Sequence, residues 1–310
     1  MHRPHLALAA IPLAIALLFS QPTRAQSIGT QSENGCATVT VDGKTVLKYY
    51  SQPHPYKLYV SELYTPAGIQ VLRDSPHDHV HHRALMYAIG IDDVDFWSES
   101  PDQKPGTQDS NTFSSGGSSN SSGASVASIS QTVNWTSWDK NVLAVENRCI
   151  KFHSVQDADV AQLTWEFTLQ PPQGTESAEL WGRHYFGLGM RFVESMDEGG
   201  RFFSPSKAAP TAVRGTEQLV RAPWCAFIAK VEDKPVTIAM FDDPKNPRHP
   251  ATWFTMNAPF AYLAATLDLS REKLTISQEK PLKARYGVAV WDGEISQEQV
   301  QSTYQRWLKL

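Results

Sequence analysis

The sequence predicts a mainly β protein, a large antiparallel β-sandwich closed by one short C-terminal helix. Three observations carry that expectation. Apolar residues recur with period two through most of the chain, no helical segments alternate with the strands, and a lone capped amphipathic segment ends the sequence. In chain order, Thr38 to Val41 and Thr45 to Tyr49 flank Asp42-Gly43, the pattern of a hairpin with a tight turn. Tyr56 to Leu72 and Ala84 to Ile91 are strand-like on either side of a polar, histidine-rich run. Leu163, Trp165, Phe167 and Leu169 alternate with Thr164, Glu166 and Thr168, as in a strand with one wet face. Phe186 to Phe192, Trp224 to Val231, Val236 to Phe241, Ala261 to Leu269, Lys273 to Gln278 and Arg285 to Trp291 continue the series. At the end, Ser296 with Gln299 reads as a capping box, and Val300, Tyr304, Trp307 and Leu308 recur at helical spacing.

Composition organises the rest. Residues 1–25 read as a signal peptide: Arg3 in a short basic start, an apolar stretch from Leu6 to Phe19, and Thr23-Arg24-Ala25 before the cleavage point. A secreted or periplasmic protein starting at Gln26 is expected, with no membrane span in the mature chain because no later apolar run approaches 20 residues. Residues 26–310 suffice for a single β domain with one large core. Between Ser110 and Ser130 the chain turns Ser/Gly-rich, and so apolar-poor a stretch predicts a mobile surface loop. A formal net charge of −4 offers no broad basic field, so nucleic acid is not an expected partner. The three cysteines, Cys36, Cys149 and Cys225, lie far apart without a Cys-x-x-Cys motif, which predicts one disulfide or none.

The run His77-Asp78-His79-Val80-His81-His82-Arg83 is the feature a fold alone does not require. Imidazole changes charge nearest neutral pH and is the commonest metal ligand, so four within six residues mark a candidate site. If the run is extended, His77, His79 and His81 share one face and His82 the other. Three further clusters are candidates to complete it. Trp181-Gly182-Arg183-His184-Tyr185-Phe186 sets a histidine among aromatics, Asp242 to Pro250 holds Asn246, Arg248 and His249 with Trp253 close behind, and Asp92 to Glu99 supplies carboxylates. An alternative for Asn246 and Arg248 is that they fix a turn through backbone hydrogen bonds.

These blocks, in order, resemble the signature of the PmoA-like family of exported bacterial proteins. The matching segments are Leu63 to Ile69, Asp78 to Leu85, Val94 to Trp97, Phe186 to Arg191, Phe241 to Pro250 with Trp253, and Pro259-Phe260. The chain departs from the pattern at Ala84, where the family carries glycine, and in the serine-rich insert. The family name refers to a methane oxygenase whose subunit is an integral membrane protein with several spans; no such apolar span follows the expected signal segment here, so the label is not evidence of methane oxidation. The resemblance implies instead a supersandwich similar to the aldose (galactose) mutarotases and a role in carbohydrate handling. It points to an enzyme of the epimerase, lyase or hydrolase type acting on a sugar or glycoside by histidine and carboxylate acid–base chemistry. The catalytic candidates are His81, His184 and a carboxylate, Asp95 first, with Glu99, Asp292 and Glu294 behind it. Substrate-binding candidates are His79, His82, Arg83, Asn246, Arg248, His249 and Trp253, and Trp97, Trp181 and Trp291 offer aromatic faces. Two other readings stay open. One is a metalloenzyme holding zinc, iron or manganese through His79, His81 and His249 or His184; the other is a glycan-binding module without catalysis.

Overall fold

In a computed structural model, which describes residues 27–119, 125–154 and 159–310, every named strand pair is antiparallel. The expected signal segment lies outside the described residues. Ten strands form one sheet, in the order Ile28–Glu33, Cys36–Val41, Lys44–Tyr50, Tyr59–Leu63, Leu85–Ala88, Gly187–Arg191, Tyr262–Thr266, Thr252–Met256, Gln218–Arg221 and Thr211–Ala212. Eight form the second: Arg201–Phe203, Trp224–Val231, Lys234–Asp242, Leu282–Asp292, Val160–Gln170, Val142–Ser154, Ser125–Thr136 and Thr107–Ser119. A four-stranded ribbon of Leu274–Ser277, Ser177–Trp181, Gly90–Ile91 and Val94–Asp95 flanks them.

The period-two pattern is what joins the two large sheets. Alternate residues of the ten-stranded sheet point at alternate residues of the other, so that Tyr87 packs on Phe167 at 4.5 Å and on Trp135 at 5.9 Å between ring centroids. The predicted hairpin forms with Asp42 and Gly43 both at positive φ, 48° and 76°. The run from Tyr56 to Leu72 is strand only at Tyr59–Leu63, because Thr65 and Gly68 close a turn through Gly68 N to Thr65 O, 2.8 Å.

The Ser/Gly-rich stretch corrects the loop expectation. Its described residues lie in the strands Thr107–Ser119 and Ser125–Thr136, which pair with each other from Thr107 and Thr136 to Ser119 and Ser125. Composition misleads here because the second of these strands still buries Ala127, Ile129, Val133 and Trp135 on one face. The serine-rich partner then needs only a backbone ladder, one edge of which its neighbour supplies.

The helix Gln297–Trp307 starts as its sequence predicts. The Ser296 hydroxyl accepts from Gln299 N, and the Gln299 side chain accepts from Ser296 N. It lays Val300, Tyr304 and Trp307 on the outer face of the eight-stranded sheet, against Trp224, Phe241 and Trp291. Cys36, Cys149 and Cys225 are all free thiols, and burial pushes that of Cys225 up. Among the described residues no helix is long and apolar enough to cross a membrane.

Candidate functional site

The histidine run is not extended. His79 N donates to Pro76 O at 3.0 Å and His82 N to His79 O at 2.9 Å, making two successive turns. A bridge between Asp74 and Arg83 closes them at the base. Ser75 and Ala84 sit at φ 47° and 44°, left-handed conformations that reverse the chain on both sides of the run. The turns bring His79, His81 and His82 together on one side instead of splitting them, with ring centroids 4.7–5.6 Å apart. His77 is left exposed. The departure at Ala84 has a physical cost, since an L side chain in the left-handed region loses about 1–2 kcal/mol and glycine does not. Ala84→Gly relieves that strain but adds chain entropy and gives up a buried methyl, so it is expected to change stability by less than about 1 kcal/mol, read as a urea midpoint close to that of the unaltered protein with an unchanged slope.

The three imidazoles form one wall of a cavity of about 460 Å³, within the size range of small-molecule sites. Its floor is the outer face of the ten-stranded sheet, where Phe254, Met256 and Tyr262 point away from the sandwich interior. Tyr262 can lean across the neighbouring strand because Gly189 lies beneath it; a Cβ there would meet the phenol oxygen at 2.1 Å. At the back Trp97 stacks on Phe186 at 5.0 Å and meets Tyr185 edge-on at 5.3 Å. The opposite rim is the turn from Arg214 to Glu217, tied to the Ala258–Phe260 loop by Thr216, whose hydroxyl donates to Ala258 O at 2.9 Å.

That rim supplies the cavity's carboxylate. Glu217, its side chain 8 % exposed, accepts from Arg214 Nη2 at 2.7 Å and lies 3.3 Å from His184 Nε2. The Trp181 block thus reaches the cavity by way of Tyr185 and the His184–Glu217 pair. Below His81 lies a buried ionic cluster. Glu99 accepts from Lys57 Nζ at 2.7 Å and from Arg83 through Nε and Nη2. Burial would raise the Glu99 carboxyl, but the hydrogen bonds from Arg83 and Lys57 outweigh it and hold the group below its ordinary value. Burial lowers Lys57 to about 8, against the opposing pull of Glu99. His81 is lowered to about 4, by burial first and then by the Lys57 ammonium and His79. His82 is pushed well below the usual imidazole range by burial and by its two histidine neighbours. Two polar atoms bordering the cavity, His82 Nδ1 and the Tyr262 hydroxyl, are buried without a protein partner.

Several predicted site residues lie elsewhere. Asp95 Oδ1 accepts from the backbone N–H groups of Trp97 and Ser98, at 2.6 and 3.1 Å, so it shapes a turn and does not line the cavity. Glu99 and Arg83 are spent on the ionic cluster. Asp292 caps the turn at Thr65 and Ala67, and Glu294 is an exposed partner of Arg201. The loop after Asp242 is structural. Asn246 bonds Asp242 and the backbone of Arg285, Arg248 donates to the carbonyls of Leu267, Glu272 and Lys273, and His249 Nδ1 lies 2.6 Å from Asp242 Oδ2. None of the three lines the cavity. Trp253 is core, its indole donating to Ala222 O at 2.7 Å, and Trp291 packs under the C-terminal helix. Trp181 packs against Phe186 beside a separate shallow hollow. The metal set His79, His81 and His249 is therefore not assembled, and among the described residues no group of three His, Cys, Asp or Glu side chains is placed to hold an ion. Glu217 was not among the sequence candidates, because a lone glutamate after Arg214-Gly215-Thr216 carries no periodic or motif signal.

Fold and site together define a β-sandwich protein with a histidine- and aromatic-lined cavity on the outer face of its larger sheet. The chain belongs to the family of unknown function DUF6807, whose profile matches residues 36–305. No curated protein matches it in sequence. Among solved structures it is similar to an α-galactosidase from Lactobacillus brevis, with 8 % identity, a TM-score of 0.48, and coverage of 92 % of this chain and 42 % of that one. It is likewise similar to the GH36 α-galactosidase AgaA from Geobacillus stearothermophilus, with 10 % identity, a TM-score of 0.48, and coverage of 90 % and 42 %. The Slr1438 protein from Synechocystis sp. PCC 6803 aligns at 9 % identity and a TM-score of 0.37 over 88 % of this chain and 98 % of its own. The chain thus spans less than half the length of either α-galactosidase.

Proposed function

We propose that the cavity binds a sugar or glycoside and that the protein is an exported carbohydrate-active enzyme working by acid–base chemistry. One observation carries this reading. An uncharged imidazole, His81, faces the same solvent-reached, aromatic-walled hollow as Glu217, a carboxylate backed from outside the lining by His184. Aromatic faces suit the C–H surfaces of a pyranose, and the neutral polar groups suit its hydroxyls. In this scheme Glu217 is the base toward a substrate hydroxyl or C–H, His184 positions it, and His81 passes or accepts the second proton. Glu217 takes the role that the sequence assigned first to Asp95. The resemblance to the PmoA-like proteins supports the same substrate class, and export predicts a mature N-terminus at Gln26, readable by sequencing the purified protein.

Isothermal titration with a panel of hexoses and methyl glycosides, with products followed by mass spectrometry, tests the proposal. Conversion of at least one sugar is expected, and Glu217→Gln and His81→Ala, each folded by circular dichroism, should each lose about 10²-fold or more in turnover. Binding without conversion would leave a glycan-binding module. If no carbohydrate binds, the proposal is wrong.

A further inference from the structure

We infer that the cavity selects uncharged sugars and excludes their uronate and phosphate counterparts. The inference rests on the sugar reading above and concerns the charge around the same cavity. Arg214 is the one Lys or Arg among the described lining residues; it sits on the solvent-exposed rim, its side chain 82 % exposed, and pairs with Glu217 at 2.7 Å. Among the described residues, the other cations nearby do not line the cavity. Arg191 does not line the cavity: it is covered by Phe260, its guanidinium carbon 3.6 Å from the ring centroid, with Nη2 facing Asp197 at 3.4 Å and Asp78 at 3.7 Å and with Nε and Nη1 buried without a protein partner. Lys57 and Arg83 share Glu99, and neither lines the cavity. Exposed Arg183 touches the Tyr185 hydroxyl at 3.5 Å from outside the cavity lining. His79 Nδ1 sits 3.1 Å from Asp78 Oδ2, so a charge on that ring would already be met.

The balance left for a ligand is a paired Glu217 carboxylate and neutral polar groups. An anionic substituent entering here gives up its water without gaining an unpaired cation, and it faces a like charge. A hydroxyl meets the opposite situation. It both donates and accepts, as do the Tyr262 phenol and, between its two nitrogens, the neutral His82 ring, both on residues that line the cavity.

The test uses matched pairs on the full mature chain near neutral pH: glucose, glucuronate and glucose 6-phosphate, and galactose, galacturonate and galactose 6-phosphate, titrated calorimetrically. Whichever hexose binds is expected to do so about 100-fold or more tightly than its uronate or phosphate. Glu217→Gln, which removes the facing charge, is expected to narrow that ratio about tenfold, and raising salt with the unaltered protein should narrow it in the same direction. A uronate or sugar phosphate binding as tightly as its parent hexose overturns the inference and leaves the sugar reading in place. A ratio unmoved by both Glu217→Gln and salt overturns its electrostatic basis. If no hexose and no anionic derivative binds, the sugar reading fails and takes the inference with it.

Discussion

Glu99→Ala is expected to destabilise the protein by about 3–5 kcal/mol, the cost of breaking a buried ion pair from one side. Among the described residues the carboxylate is the one acceptor of Lys57 Nζ, and it takes two guanidinium nitrogens of Arg83. The side chains of Lys57 and Arg83 are 1 % and 8 % exposed, so neither can recover its hydration when the carboxylate is removed. Lys57, already lowered to about 8, would lose the main influence that raises it and become neutral near pH 7, which softens the loss. Arg83 has no such outlet, because guanidinium does not deprotonate, and only Asp74 at 3.8 Å remains to it. Replacing Glu99 and Lys57 together by leucine and methionine should return part of the stability. Urea unfolding of both variants checks the argument: a loss under about 1 kcal/mol for Glu99→Ala would show that the cluster is not the uncompensated charge pair described here.

The same cluster shows why part of the site could be read in the sequence and part could not. Strands were legible wherever alternation placed large apolar residues on one face, as at Leu163 to Leu169, and the helix was legible from Ser296 and Gln299. Thr107–Ser119 was not, because its order comes from the ladder offered by Ser125–Thr136 and not from its own composition. The histidine run was legible as a site from residue type alone. Its geometry was not, because positive φ at Ser75 and Ala84 makes turns where period two expects an extended segment. Asn246, Arg248 and His249 show the converse limit. A proline-stiffened polar loop has the side-chain types of a binding site, but the backbone carbonyls of Leu267, Glu272 and Arg285, remote in sequence, occupy Asn246 and Arg248, and the Asp242 carboxylate at the loop's own start holds His249. Glu217 is remote in the same way, since its partner His184 lies 33 residues away.

Stability is expected to fall as pH drops from about 6.5 towards 4, earlier than carboxylate protonation alone would dictate. Three histidines set that window. Burial is the leading cause in each case: it lowers His81 and His153 to about 4 and His82 well below its ordinary value. For His81 the groups that bear on the ring are Lys57 and His79, which lower it further, and Glu99 and Asp95, which oppose them. For His153 they are Lys151 and Arg285, opposed by Glu166, with Thr164 Oγ1 3.0 Å from Nε2. Because the folded pKa is depressed, the unfolded chain binds protons first. The stabilisation is complete above the unfolded value of 6.5 and is lost progressively as pH falls towards the folded value. Between pH 6.5 and 5, His81 and His153 should each cost roughly 1 kcal/mol once their partial contact with solvent is allowed for. Glu99, held low by Arg83 and Lys57, adds to the loss below its unfolded value of 4.5. Asp74, Asp197 and Asp242 act in the opposite sense, since burial raises each of them and they take up protons sooner in the folded state. Urea midpoints at pH about 7.5, 6 and 5 should therefore fall together with a constant slope, and His153→Gln should flatten the pH dependence by roughly the share of one histidine. A midpoint that stays level across that range would mean that these imidazoles take up protons in the folded protein as readily as in the unfolded chain, and that His81 does not face the cavity uncharged.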